Sequence, residues 1–548
     1  MTTTDLKEPA SDAEEESAHA AGPSRFLAAI AGALGGAFAL AIGELIDGAS
    51  KSIPSLVTSA GDWVIDVSPG QVERNAIDAL GTNDKPALLI GTVIITILIG
   101  AATGRASVRD SRVAPTVFTV FALLGWWFLA RNPLNTSSAS WLVAAISALG
   151  GFAVFRLLFS VARTAEPKRL NPASGGMVDI VDIVDTPTNP AATRRSFFGW
   201  AGGVGLATAG LVGWGRKLRN SKLVDAARDE VVVDTGSELV DALADIDTLD
   251  EIPGIASYVT DSTGSNFYRI DTALSIPQVD PSKWTLKITG MVDNPVEFTL
   301  ADIQAMDLED RAVTIACVSN EVGGGLVGNA LWTGIPISTL LEIAGVQQGA
   351  TQIVARSVDD FTTGFPTELA SDGRTAMLAI GMNGEALPVR HGFPARLVVA
   401  GIYGYVSATK WIEEINLTRW EDFDGYWIPR GWSKEGPVKT QSRIDVPRLG
   451  STIASGPQPI AGVAWAPTRG IAKVEVQVGD QDWQEATLGD SLNDETWVQW
   501  MLEWDAPLGD HLIRVRATDG DGILQSEQPT RVDPNGAAGW HRTVVRVT

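Results

Sequence analysis

The chain is 548 residues long, enough for two or three domains. It carries 65 acidic against 42 basic side chains, a formal net charge of −23, and has no basic stripe, which argues against a nucleic-acid partner. The single cysteine, Cys317, excludes an intramolecular disulfide and an iron–sulfur cluster. The four histidines (His19, His391, His511 and His541) lie outside the apolar runs and so cannot hold a haem across helices.

In chain order, residues 1–24 are expected to form a disordered acidic tail, with Asp5, Glu8, Asp12, Glu14, Glu15 and Glu16 facing only Lys7. Five apolar stretches follow within 25–215: Phe26 to Ile46, Ala87 to Gly104, Val113 to Ala130, Ala139 to Ala162 and Phe197 to Trp214. Each is about as long as a helix needs to cross hydrocarbon, roughly 18 residues or more. Gly32 with Gly36, and Gly199 with Gly203, have the small-residue spacing of closely packed helices, and Trp126, Trp127 and Trp141 sit near proposed interfaces. The spacing predicts a five-helix transmembrane anchor.

Arginine and lysine in two loops set its orientation: Arg105, Arg109 and Arg112 in one, and Arg163, Lys168, Arg169, Arg194 and Arg195 in the other. With both in the cytoplasm, the N-terminus is inside and everything after Trp214 is outside, as is the 47–86 loop, for which no role is assigned. Thr193-Arg-Arg-Ser-Phe-Phe-Gly199 resembles a twin-arginine export signal placed internally, although two arginines before a span also serve as ordinary positive-inside charges. The twin-arginine translocon carries folded proteins, often with a cofactor already inserted. The signal and the Ala/Gly-rich composition point to a multi-pass protein of a bacterial cell membrane.

Residues 216–251 contain an acidic run between Asp225 and Glu251 and are expected to form a solvated stalk or linker. Residues 252–432 mix short strands, such as Trp284 to Gly290 and Ala395 to Val399, with helical pieces such as Ser338 to Ala344, which reads as an α+β domain. Residues 433–548 alternate with period two, as in Lys473 to Val478 and Leu512 to Ala517, and read as an all-β immunoglobulin-like sandwich. There is no Gly-x-Ser-x-Gly elbow and no zinc-spaced histidine pair. Gly323 to Gly328 matches the dinucleotide fingerprint in letters, but Leu331-Trp-Thr-Gly-Ile-Pro336 cannot start the helix it requires. A tight glycine loop beside Cys317 is expected instead. Cys317 itself is either a small buried hydrophobe or a thiolate ligand to a soft metal.

Four segments occur in the order found in the sulfite oxidase family of molybdenum enzymes, which residues 252–548 resemble. They are Cys317-Val-Ser-Asn320, Gly381-Met-Asn-Gly384 with Leu387-Pro388, His391-Gly-Phe-Pro-Ala-Arg396, and Thr409-Lys-Trp411. The resemblance implies molybdenum held by molybdopterin, with Cys317 as metal ligand and catalytic thiolate. It makes His391, Arg396 and Lys410 cofactor-binding residues, places Ser319 and Asn320 near the metal or pterin, and aligns Tyr268 and Arg269 with the family's first cofactor-contacting segment. Taken singly, His391 is also an ordinary turn histidine, Arg396 half of an ion pair and Lys410 a strand-edge lysine, while Tyr403 and Tyr405 either reach the site or simply pack.

The chain departs from the family pattern at Glu321 and Val322, which stand where sulfite oxidases carry substrate-holding arginines. Thr363 falls near the position of the family's active-site tyrosine, and no cytochrome b5-type domain is present. The expected function is two-electron oxygen-atom transfer on a small substrate outside the cytoplasm. Electrons pass to or from a separate carrier such as a cytochrome c or a quinone-linked subunit, and a homodimer through the second domain is left open. The alternatives are a sulfoxide-type reductase, or a cofactor-free binding module displayed on the membrane.

Overall fold

The computed structural model describes residues 23–50, 52–69, 72, 75–76, 79–80, 83–164, 190–220, 224–233, 237–262 and 266–548. The charged residues of the acidic tail, together with His19, Lys168 and Arg169, lie outside them. Two compact units form: Met1–Trp63 with Asn83–Arg131 and Asn135–Ser221, and Val64–Thr82 with Asn132–Leu134 and Lys222–Thr548.

In the first unit, the helices Arg25–Ala49, Asp84–Ala106, Val113–Arg131, Ser140–Thr164 and Pro190–Asn220 coincide with the five apolar stretches. They are long and apolar enough to cross a membrane, and so are compatible with a membrane anchor. The first helix is packed against three of the others. A Cβ on Gly32 would run into the carbonyl of Gly100, and one on Gly104 into that of Ala28, so these backbones meet without side chains between them. Gly199 and Gly203 differ from expectation, since a Cβ there meets nothing within 4 Å. Ile94, Leu98, Leu123, Leu149 and Leu206 are exposed on the helices. At the helix ends Arg219 pairs with Glu44 at 2.9 Å and with Asp47.

The second unit begins with two sheets. One has the order β2-β1-β10-β5-β6, from β1 (Thr285–Gly290), β2 (Val296–Thr299), β5 (Gln352–Ser357), β6 (Thr362–Pro366) and β10 (Ile412–Thr418). The other runs β3-β4-β7-β8, from β3 (Glu309–Ala316), β4 (Val327–Pro336), β7 (Ala376–Met382) and β8 (Glu385–Ala386), with β9 (Arg396–Val399) also paired to β7. Every residue of β7 is buried, and its sequence, Ala-Met-Leu-Ala-Ile-Gly-Met, is the continuous apolar run that a strand covered on both faces needs. The helix Ile337–Ala344 buries Ile337, Leu340, Leu341 and Ala344, one face at 3.6-residue spacing, and stops at Gly345 with φ +69°.

The C-terminal region consists of two sheets. β11 (Gln441–Val446), β13 (Gly456–Trp465), β17 (Val498–Ala506) and β16 (Thr487–Leu488) form one. β12 (Thr452–Ile453), β19 (His541–Val547), β18 (Gly509–Asp519), β14 (Ile471–Val478) and β15 (Gln484–Glu485) form the other. Ile460 and Trp500 from the first and Val476, Val515 and Val545 from the second share one core, as the period-two pattern requires. This region is not loosely appended. Trp465 and Trp497 are buried in the same cluster as Leu286 and Ile412, Trp497 Nε1 donates to the Tyr258 carbonyl at 2.8 Å, and the Trp497 N–H donates to Thr314 Oγ1 at 2.7 Å.

The acidic stretch expected to be a solvated stalk or linker is instead held against this unit in its described residues from Val224 onward. Val224 is buried, and Val231 and Val233 pack beside Trp332 and Leu387. Arg228 donates to the carbonyls of Ala386 (2.7 Å) and Leu387 (3.1 Å) and pairs with Glu385. Further on, the Leu249 N–H donates to Gln499 Oε1 at 2.8 Å. A few valines and one arginine reading carbonyls create no periodicity, so the outward-facing carboxylates dominate the sequence signal.

Candidate active site

Cys317 stands at the end of β3, where a buried strand delivers it with only 9% of its surface exposed. The chain then loops and returns as β4. The loop is closed by the Cys317 N–H to the Leu326 carbonyl (2.9 Å), the Asn320 N–H to the Cys317 carbonyl (3.0 Å) and the Leu326 N–H to Asn320 Oδ1 (2.7 Å). Asn320 is therefore a pin of the loop. The Ser319 N–H points at Cys317 Sγ from 3.4 Å. Burial pushes the Cys317 thiol above its ordinary value, and the Ser319 hydrogen bonds act in the opposite direction.

No helix follows the glycines Gly323 to Gly325. They form the tight loop, and a Cβ on Gly328 would come 2.7 Å from the Phe267 ring.

Phe267 organises the opposite wall. Its ring stacks on Tyr268 (centroids 5.4 Å apart) and meets His391 edge-on at 5.4 Å and Trp332 at 6.0 Å. Tyr268 lies within electrostatic reach of both Cys317 and Arg396. Burial raises its phenol, the Cys317 thiol adds to that rise, and Arg396 opposes it.

Arg396 opens β9 and is 3% exposed. Its Nη1 donates to the His391 carbonyl at 3.2 Å, and its guanidinium sits over the Trp332 ring. Burial pulls it down to about 10. His391 is 2% exposed, and burial, then Arg396, Arg390 and Arg269, drive it down to about 3, so the ring is neutral at pH 7. Gly392 (φ +115°) turns the chain between these two residues, and a Cβ there would press on Arg396 and Lys410.

Lys410 bridges to Arg396 across the backbone. Its Nζ pairs with Asp271 and donates to the Ile270 carbonyl at 3.1 Å. Arg269 Nε lies 3.5 Å from the same Asp271 carboxylate. Thr363 is buried, hydrogen-bonded to Thr409 Oγ1 at 2.8 Å. Tyr403 is close enough to feel the Cys317 thiol, whereas the Tyr405 hydroxyl is spent on the Ser433 carbonyl at 2.5 Å.

Cys317, Tyr268, His391 and Arg396 thus converge. Arg269 and Lys410 converge through Asp271, and Ser319 and Asn320 shape the ligand loop. Asp271, Phe267 and Trp332 carry no motif of their own in the sequence, although Phe267 directly precedes Tyr268 and Asp271 lies two residues after Arg269.

The donor set suits a metal carried by an organic cofactor. Among the described residues no group of three or more His, Cys, Asp or Glu could hold a metal ion, so a metal on Cys317 takes its other ligands from elsewhere. His391 Nε2, buried without a hydrogen-bond partner, can serve a bound group, as can the cations around it.

Residues 273–427 match the family described as the oxidoreductase molybdopterin binding domain. Over 159 residues the chain is 33% identical to the uncharacterized oxidoreductase YuiH of Bacillus subtilis, covering 76% of that protein and 29% of this chain. The chain belongs to the sulfite oxidase family of molybdopterin oxidoreductases. It is 29% identical to human mitochondrial sulfite oxidase over 331 residues, which is 50% of this chain and 60% of that protein, so it spans somewhat over half of the length of the mammalian relatives it matches. The sulfane dehydrogenase SoxCD from Paracoccus pantotrophus is similar at 24% identity and a TM-score of 0.46, over 53% of this chain and 83% of that one. Family membership brings molybdenum and molybdopterin as the cofactor. The segment matched to the family includes Cys317, His391, Arg396 and Lys410, while Tyr268 and Arg269 lie just before it.

Proposed function

We propose that this chain is a membrane-anchored oxidoreductase transferring an oxygen atom, with two electrons, to or from a small substrate outside the cytoplasm. The observation that carries the reading is the convergence of the lone buried thiol of Cys317 with Tyr268, Arg396 and the unpartnered His391 Nε2. When bound, the molybdenum cofactor supplies the redox and oxygen-transfer chemistry. Cys317 ligates the metal, Ser319 steadies its sulfur, and Asn320 keeps the loop closed. His391, Arg396, Arg269 and Lys410 hold the pterin and its phosphate, with Arg396 suited to a bidentate grip. Tyr268 lines the same wall.

The five apolar helices and the arginine distribution support anchoring with the catalytic unit outside. Arg194 and Arg195, both exposed, support export through the twin-arginine translocon. Electrons pass to or from a separate carrier, such as a cytochrome c or a quinone-linked subunit. The C-terminal two-sheet region is immunoglobulin-like and serves a homodimer.

The test is molybdenum and pterin content of the purified protein beside Cys317→Ser. One molybdenum per chain, lost or inactive in the variant, supports the reading. An intact protein from a cofactor-competent host that holds neither overturns it.

Glu321 favours a second reading of the substrate. It is exposed, follows the Cys317 motif directly, and enters no ion pair among the described residues. A carboxylate there repels anions such as sulfite, after which the human relative is named, and favours neutral oxides such as sulfoxides. Turnover of sulfite against sulfoxides, with artificial electron acceptors and donors, separates the two.

A further inference from the structure

The loop behind the ligating cysteine is gripped from the C-terminal region, by one side chain from each of its two sheets. Gly323, at the loop's tip with φ +77°, lies against the ring of His541 from β19, so that any Cβ on Gly323 would collide with that ring. The next residue, Gly324, accepts a hydrogen bond on its carbonyl from Arg443 Nη1 of β11 at 3.1 Å. Both grips are themselves oriented. His541 Nδ1 accepts the Ile444 N–H at 2.9 Å, which leaves Nε2 as the protonated nitrogen of the neutral ring. Arg443 is held by Asp445 at 2.6 and 3.3 Å, and Asp445 in turn accepts the Ala256 N–H at 2.9 Å.

A loop containing Gly323-Gly-Gly325 loses more conformational freedom on ordering than any other composition would. Its internal hydrogen bonds fix its base at Asn320 and Leu326, but only Gly324 N–H to the Glu321 carbonyl (2.8 Å) ties the tip from within. The position of the Ser319 N–H on Cys317 Sγ depends on the same loop.

We propose that His541 and Arg443 are positioning residues for the Cys317 thiolate, holding the 318–326 loop from outside the cofactor-binding domain. The proposal rests on the reading of Cys317 as the metal ligand. It makes the C-terminal region part of the active site's support, in addition to any role in assembly.

Because Cys317 is the only cysteine, iodoacetamide labelling of the full-length chain purified without cofactor reads that one thiol. His541→Ala and Gly323→Ala should each speed labelling by up to about tenfold, because the ring contact that holds the loop's tip is deleted in one and forced apart in the other. The double variant should label more slowly than the product of the two effects, because the added methyl enters the space the ring vacates. In the loaded protein, His541→Ala should shift the thiolate-to-molybdenum charge-transfer absorption at unchanged molybdenum content. Arg443→Lys, which keeps a donor near Gly324, should move both readouts less than Arg443→Ala.

Unchanged labelling in His541→Ala, or effects that simply multiply in the double variant, would overturn the proposal. If His541→Ala does not fold, His541→Asn keeps an acceptor for the Ile444 N–H, withdraws the ring edge from Gly323, and decides the same comparison. A wild-type protein that takes up no molybdenum defeats the metal reading alone, since labelling still reports the grip on the loop.

Discussion

The guanidinium carbon of Arg396 lies 5.0 Å from the centre of the Trp332 ring. This buried cation has no carboxylate partner among the described residues. It is held by two carbonyls, His391 at 3.2 Å and Leu397 at 3.3 Å, and by an aromatic face, which leaves its charge available to an anionic ligand.

Trp332→Phe removes the stronger ring and the 3.2 Å hydrogen bond from Nε1 to the Val313 carbonyl. Stability should fall by about 2 kcal/mol in a denaturant titration, and cofactor should dissociate faster on dilution. Equal midpoints and equal retention would show that the ring does not hold Arg396.

Asp271 is the counter-charge for Lys410 and Arg269, and the side chains of Asp271 and Lys410 are 5% and 12% exposed. Asp271→Asn removes the counter-charge from a largely buried ammonium and should cost about 3 kcal/mol. Adding Lys410→Met should recover most of the stability but not cofactor binding. The two measurements together separate the structural role of the pair from the binding role of Lys410.

His391 has an ordinary value of 6.5 and is driven to about 3 in the fold. The unfolded chain therefore binds a proton that the folded chain refuses. The stabilisation is complete above pH 6.5 and is lost as pH falls from there toward 3, with a slope of up to about 1.4 kcal/mol per pH unit. His391→Gln should flatten that acid limb in a profile of Tm against pH. His541, also shifted down by burial, leaves a residual slope of the same sign.

Arg228 ties residues 224–233 to the hairpin of β7 and β8, two residues before Val389–His391 begins. Arg228→Ala should lower stability by about 2 kcal/mol and open the 224–251 segment to limited proteolysis. A cleavage pattern identical to wild type would mean that the valines alone hold the strap.

Much of the site is legible in the amino-acid sequence, because its chemistry sits in short contiguous segments: Cys317 to Asn320, His391 to Arg396, and Thr409 to Trp411. What the sequence conceals is the partners of those residues. Asp271 looks like any surface carboxylate until the fold brings Lys410 onto it, and Trp332 like any core tryptophan until Arg396 lies on its face. The strap around Arg228 is hidden by its own charge, since Asp225, Asp229 and Glu230 point outward while Val224, Val231 and Val233 turn in. Gly199 and Gly203 have the right spacing for close helix packing, yet a Cβ on either would meet no atom of the described residues within 4 Å.

The apolar helices, the alternating strands of the C-terminal region and the identity of the thiol are legible in the amino-acid order, because length, periodicity and a lone cysteine are local properties of the chain. Which side chains surround that thiol depends on long-range packing. Tyr268 lies 49 positions before Cys317 and His541 lies 224 positions after it. The buried core that Trp465 and Trp497 share with Leu286 and Ile412 joins the C-terminal sheets to the preceding domain, which sets β19, and with it His541, beside the loop.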